Sequence, residues 1–343
     1  MHVEKDAINH SKENPQLLRD QPRLVSTPTA NKRFLLPRAG RLFFKKAALA
    51  FLSLAFLTTQ AAAQTITAVG VENQYANVIA QIGGRYVAVS AIATDPNTDP
   101  HSFEASPKIA AELAAADLVV ENGLGYDDWA DRMLAAAPNP ARKLINVQQL
   151  RRLPDSTPNP HLWYDPATMP AVAAALATDL AALQPAHTAY FAANLALFNA
   201  SLRPWLAALA AFKKEFPATP VAVTEPVGDD MLTAAGASIL TPFSLQAAIM
   251  NGTDPAPQDV TTQTNLLAGQ VKILVYNQQV TDPLTDSFLA LAKQHGIPIV
   301  GVYETMPQPG YTYQSWMLAE VAALRQAVAN KTSTETLLPK PQQ

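Results

Sequence analysis

From Thr65 onward, short β-branched apolar runs alternate with longer stretches whose apolar positions recur every three or four residues. That alternation predicts an α/β fold with parallel-rich sheets. In the first half, 65–69, 86–92, 117–122 and 143–147 read as strands, with helices over 73–82, 107–115 and 129–136. The second half repeats this order, with strands at 220–224, 237–240, 271–276 and 297–302 and helices at 228–235, 259–267, 284–294 and 314–329. The order of elements recurs; the sequence itself does not.

Between the halves, 169–214 is strongly helical, with Leu195, Phe198, Leu202, Trp205, Leu206, Leu209 and Phe212 at helical spacing. The pattern predicts two similar lobes, 64–186 and 215–330, joined by one long rigid helix over 187–214. At ~1.5 Å per residue such a spine would extend about 42 Å. Pro204 should kink it or mark a restart, because proline cannot donate the hydrogen bond that a helix interior needs.

The N-terminal pattern is different. Arg38, Arg41, Lys45 and Lys46 precede an apolar run over 47–57, and Ala61, Ala62 and Ala63 close it. Basic, apolar and small-residue segments in that order predict a secretory signal over 38–63, cleaved after Ala63 to give a periplasmic protein. The run is short of the ~20 residues that cross a bilayer. Residues 1–37 read as a disordered extension and 331–343 as a disordered tail.

Charge and composition narrow the function. The first 63 residues hold ten Lys/Arg and four Asp/Glu, leaving 15 basic and 24 acidic residues beyond them. An acidic mature chain disfavours nucleic acid as a partner and favours a cationic ligand. The chain has no cysteine, which excludes disulfides, thiol nucleophiles and thiolate metal sites. Its 28 prolines against 13 glycines point to stiff loops.

Two of the six histidines follow proline: His101 in Asp99-Pro100-His101-Ser102-Phe103-Glu104, and His161 in Asn159-Pro160-His161-Leu162-Trp163-Tyr164-Asp165-Pro166. Proline stiffens each turn and keeps the backbone non-helical. In the second half, Glu225 and Glu304 close two strands, at the edge where open α/β sheets hold their ligands. Two imidazoles and two carboxylates can enclose a divalent first-row metal. His2, His10, His187 and His295 lie in the tail or in helical patterns and read as ordinary surface or hydrogen-bonded residues. No His-Glu-x-x-His, Gly-x-Ser-x-Gly, Walker or dinucleotide fingerprint occurs. A secreted metal-dependent hydrolase with an open zinc site is the rival reading; it would need a vacant coordination position and a general base.

The two Pro-His motifs, with Ala116-Asp117-Leu118-Val119-Val120-Glu121-Asn122-Gly123-Leu124-Gly125, Val223-Thr224-Glu225-Pro226 and Val302-Tyr303-Glu304-Thr305, resemble the metal-specific solute-binding proteins of ABC importers. The resemblance to this zinc- and manganese-receptor family covers about 65–330, in the family's order. It implies a metal site in the interlobe cleft with His101, His161, Glu225 and Glu304 as ligands. The fourth family position is commonly Asp, and Asp229 and Asp230 are the nearest substitutes for Glu304. The resemblance also implies a non-enzymatic, monomeric receptor that serves an inner-membrane permease and its ATPase. The family's zinc importers often carry a His- and acid-rich loop between the first two ligand motifs; 102–160 here contains no histidine. The donor set suits Zn2+ or Mn2+, with Fe2+ behind them.

Overall fold

The computed structural model describes residues 65–97, 100, 103, 105–280, 282–307 and 309–337. The extension 1–37, the signal segment 38–63, His101 and the last six residues lie outside these. The first half runs β1 (Ile66–Glu72), α1 (Asn73–Gly83), β2 (Val87–Ala93), α2 (Pro107–Ala115), β3 (Leu118–Glu121), α3 (Asp128–Ala136), β4 (Lys143–Asn146), α4 (Val147–Leu150) and α5 (Thr168–Leu183). Then come α6 (Thr188–Ser201) and α7 (Arg203–Glu215). The second half runs β5 (Pro220–Val223), α8 (Asp229–Ala234), β6 (Ser238–Ile239), α9 (Phe243–Met250), α10 (Pro257–Leu267), β7 (Ile273–Asn277), α11 (Pro283–Gln294), β8 (Ile299–Val302) and α12 (Tyr313–Asn330).

Each half builds a four-stranded, wholly parallel sheet, ordered β2-β1-β3-β4 in one and β6-β5-β7-β8 in the other. The two lobes thus share one topology. In both, the strand order reverses beside the first strand, and the crevice at the carboxyl ends of the strands there is where such sheets bind ligands. The local sequence supports the elements. Ser106 caps α2, Asp282 and Thr285 form a capping box on α11, and Thr312 and Ser315 form another on α12. Gly70 in β1 lies against the backbone of Ala76, and a Cβ there would collide with it. This close approach seats α1 on its sheet.

One apolar core runs through both lobes. It joins Ile79 and Leu176 to Trp163, Trp205, Tyr313 and Trp316, and continues to Val223 and Val302. Smaller clusters pack the outer face of each sheet. The interface between the lobes is therefore apolar and continuous, unlike the wet contact of freely moving domains. Tyr164 ties the lobes further, donating its hydroxyl hydrogen to Tyr303 O at 2.9 Å.

The spine is one helical stretch of 31 residues, Pro185–Glu215, with a turn residue at Leu202 where Pro204 marks a restart. α6 ends at Ser201, and α7 begins at Arg203 with Pro204 in its first turn, where the missing N–H costs nothing. α6 packs on α1 and α5, and α7 on α8 and α12, so each half of the spine belongs to one lobe. The tail also departs from the expectation of disorder: Lys331–Leu337 is ordered. Thr334 bridges to Val300 in parallel, and Thr334 N donates to Ile299 O at 2.8 Å, covering the β8 edge. Two short helices, α4 and α9, are absent from the pattern-based reading.

Candidate metal centre

The turn carrying His161 is built by its neighbours. Pro160 O accepts a hydrogen bond from Asn122 Nδ2 at 2.8 Å, which ties the turn to the loop after β3. Asn159 Oδ1 accepts from His161 N at 3.1 Å and meets His161 Nδ1 at 2.8 Å. An oxygen already accepting a backbone N–H accepts from the ring as well, which assigns the Nδ1 hydrogen to this bond and leaves Nε2 facing away from it. Trp163 and Tyr126 wall the ring edge-on, with centroids 5.5 and 5.8 Å away. The imidazole is fully buried.

His161 Nε2 faces Glu304 Oε2 at 3.3 Å. Glu304 follows β8 in the other lobe and is itself fully buried. Its backbone is clamped from both lobes. Gln279 Oε1 accepts from Glu304 N at 2.7 Å and Thr305 N at 2.8 Å, and Gln74 Nε2 donates to Glu304 O at 3.2 Å. The Asn73 carboxamide pairs with Met306, accepting from its N–H at 2.9 Å and donating to its carbonyl at 2.8 Å. Tyr126 donates to Glu304 Oε2 at 2.9 Å.

Glu225, buried just beyond β5, joins this pair through Asn277 at the end of β7. Asn277 Nδ2 donates to Glu304 Oε1 at 2.6 Å and to Glu225 Oε2 at 3.1 Å. The structure thus brings His161 and Glu304 into direct apposition and links Glu225 to them. Among the described residues, no group of three His, Asp or Glu side chains is itself arranged to hold a metal. The loop that carries His101 lies outside them. Its described members Pro100 and Phe103 line a cavity of about 270 Å3 together with Thr305, the residue after Glu304.

Asp229 and Asp230 sit in the first turn of α8 rather than in this constellation. Burial raises their carboxyls to about 7 and about 6, and Asp165 adds to the shift of Asp230. Behind Tyr126 lies a second buried acidic group. Burial pushes Asp127 up to about 7 although it accepts from Asn122 N and Gly123 N. Glu72 is raised well above the carboxylate range by burial and by the Asp127 charge.

Tyr126, Asn277, Gln279 and Asn73 went unnoticed at the level of sequence. The polar run Asn277-Gln278-Gln279, directly after an apolar strand, was the available signal.

A model of the family described as zinc-uptake complex component A, periplasmic, matches residues 69–327. Over 99 residues the chain is 30% identical to a Thermotoga maritima protein assigned to metal binding; the match takes 27% of this chain and spans only 33% of that relative. Three solved structures share the fold. The periplasmic zinc-binding protein TroA from Treponema pallidum superposes with a TM-score of 0.65 at 16% identity, over 78% of this chain and 99% of TroA. ZnuA gives 0.60 at 23%, over 78% and 98%. FpvC of P. aeruginosa, solved with Ni2+, gives 0.62 at 20%, over 78% and 98%. The match over most of the chain, together with this shared two-lobed architecture, places the protein in the family of periplasmic zinc-uptake complex component A proteins.

Proposed function

We propose that this protein is an extracytoplasmic receptor that captures one divalent transition metal ion between its lobes and delivers it to an ABC permease. His101, His161, Glu225 and Glu304 are the ligands. The observation that carries the reading is the apposition of His161 Nε2 and Glu304 Oε2 at 3.3 Å, with the other ring nitrogen held by Asn159. Ligands 2.0–2.1 Å from a tetrahedral ion lie about 3.3 Å apart. A lone pair and a carboxylate oxygen facing each other at that separation suit a cation between them.

Capture requires neutral imidazoles and ionised carboxylates, so protons compete with the metal. His161 comes with its tautomer set, and Glu304 with its backbone clamped, so little ordering is left to binding. The family match and the zinc, manganese, nickel and cadmium named for solved relatives support a metal cargo. Export follows from the signal pattern at 38–63, and the chain acts as a monomer with the permease and its ATPase.

Calorimetric titration with Zn2+ and Mn2+ tests the reading. One ion per chain in the native protein, with most of the affinity lost in His161→Ala, is the expected result. Unchanged affinity in that variant would refute the assignment.

A further inference from the structure

We propose that Asp127 is a positioning residue of the metal centre: it fastens the loop after β3 in the shape that brings Asn122 to the His161 turn and Tyr126 to Glu304. The inference rests on the receptor reading above and adds to it a residue that acts on the site from outside it. Asp127 immediately precedes α3, where an aspartate ordinarily turns its carboxylate onto the first free N–H groups of its own helix. Here its side chain makes no such capping bond. Both oxygens turn back onto the loop instead, Oδ2 accepting from Asn122 N at 2.6 Å and Oδ1 from Gly123 N at 2.8 Å. The side chain is buried, and burial pushes its carboxyl up to about 7. A carboxyl that forgoes a helix cap for a buried place beside Glu72 weakens the local fold on two counts. The loop that it closes is what the position achieves.

That loop needs an outside hold. Gly123, Leu124 and Gly125 all have φ between 56° and 79°, and for leucine this left-handed conformation is unfavourable. Three backbone N–H groups in a row bond to side chains rather than to a strand or helix. Those of Asn122 and Gly123 go to Asp127, and that of Leu124 goes to Gln148 Oε1 at 2.9 Å. Without the carboxylate, two buried N–H groups lose an acceptor and the strained leucine loses its reason to stay, so the turn relaxes. Both ends of the turn touch the site. At its start, Asn122 Nδ2 donates at 2.8 Å to Pro160 O, the carbonyl of the peptide that leads into His161. Tyr75 Oη donates to Asn122 Oδ1 at 2.6 Å and keeps that amide from flipping. At its end, Tyr126 donates to Glu304 Oε2 at 2.9 Å and sets its ring edge-on to that of His161. One carboxylate thus holds the starting points of two contacts, one towards a ligand of each lobe. Metal–ligand distances hold to within about 0.2 Å, so even a small relaxation of the turn is felt at the ion.

The test measures the Zn2+ affinity of the mature protein by competition against a chromophoric chelator, with thermal melts to establish folding. Asp127→Asn keeps the shape but turns a donor towards one of the two backbone N–H groups. Asp127→Ser is small, carries no charge and can cap α3, so it releases the loop while supporting the helix. In whichever variant folds, Zn2+ affinity should fall by about tenfold or more, the scale of effect that partners of metal ligands exert. Tyr126→Phe cuts one of the two contacts and leaves the Asp127 carboxylate in place. Because Asp127 acts partly through Tyr126, adding Tyr126→Phe to the Asp127 variant should lower affinity far less than Tyr126→Phe does alone. A residue that merely stabilised the fold would give losses that multiply. Unchanged affinity in a folded Asp127 variant, or losses that multiply in the double variant, overturns the positioning role and leaves the receptor reading standing. Failure of both Asp127 variants to fold makes Asp127 a residue of the fold rather than of the site, and overturns the role as well. A wild-type protein that binds no Zn2+ overturns both readings.

Discussion

Asn159 and His161, two residues apart, are bonded so that Nε2 is the ring nitrogen that faces Glu304. Asn159 Oδ1 takes the Nδ1 hydrogen at 2.8 Å, and Nε2 is left facing Glu304 across the lobe boundary. The proline between them holds the turn that makes this contact. Asn159→Ala should therefore lower metal affinity by roughly 10- to 100-fold while the fold persists, the usual cost of losing a ligand's orienting partner. Competition against a chromophoric chelator measures it.

The same contact sets the direction of the pH response of binding. The imidazole must be neutral and the carboxylates ionised to bind, so affinity should fall on acidification. Calorimetry between pH 5 and 8 checks the direction. Affinity that rises on acidification would contradict a histidine ligand.

Stability should respond to pH in the opposite sense through Glu320. This carboxyl is fully buried in α12, accepts from Trp316 Nε1 at 2.9 Å, and is pushed by burial up to about 8. A folded-state value above the unfolded one means that folding favours the protonated form. That contribution is complete below about 4.3 and disappears as pH rises through about 8. Glu320→Gln should flatten the decline, whose size is on the order of a few kcal/mol, in urea titrations from pH 5 to 9.

The C-terminal segment makes a separate prediction. Gly301 in β8 lies against Glu335 O so closely that a Cβ cannot fit. The segment also reaches the turn after β8, since Leu337 N donates to Tyr303 Oη at 2.9 Å and Thr336 Oγ1 bonds the same hydroxyl at 2.6 Å. Gly301→Ala should displace the segment and cost roughly 1–3 kcal/mol, the scale of an overpacked core. Removing residues 332–343 should lower Tm similarly, and the two changes together should cost little more than either alone, because they break the same contact.

Much of this was legible in the sequence, for identifiable reasons. Two parallel sheets follow from β-branched runs alternating with 3.6-residue periods, and His161, Glu225 and Glu304 stand out by their places in turns and at strand ends. What stayed hidden depends on tertiary context. Phe243–Met250 forms α9, but its apolar residues are spread around the helix and give no single stripe. Lys331–Leu337 is too polar to read as a strand and is ordered only because β8 offers an open edge. The restart at Leu202 within the long helical spine, by contrast, is marked in the sequence by Pro204. Asn277 carries no signature of its own; its role comes from two glutamates that are 52 and 27 residues away in sequence.

Anomalous diffraction at the zinc edge, from crystals grown with Zn2+, tests the central claim most directly. The account predicts one strong peak between the lobes, about 2.0–2.1 Å from His161 Nε2 and from an oxygen of Glu304, with Glu225 and His101 completing the shell. A peak elsewhere, or His161 and Glu304 turned apart with no ion between them, would contradict it.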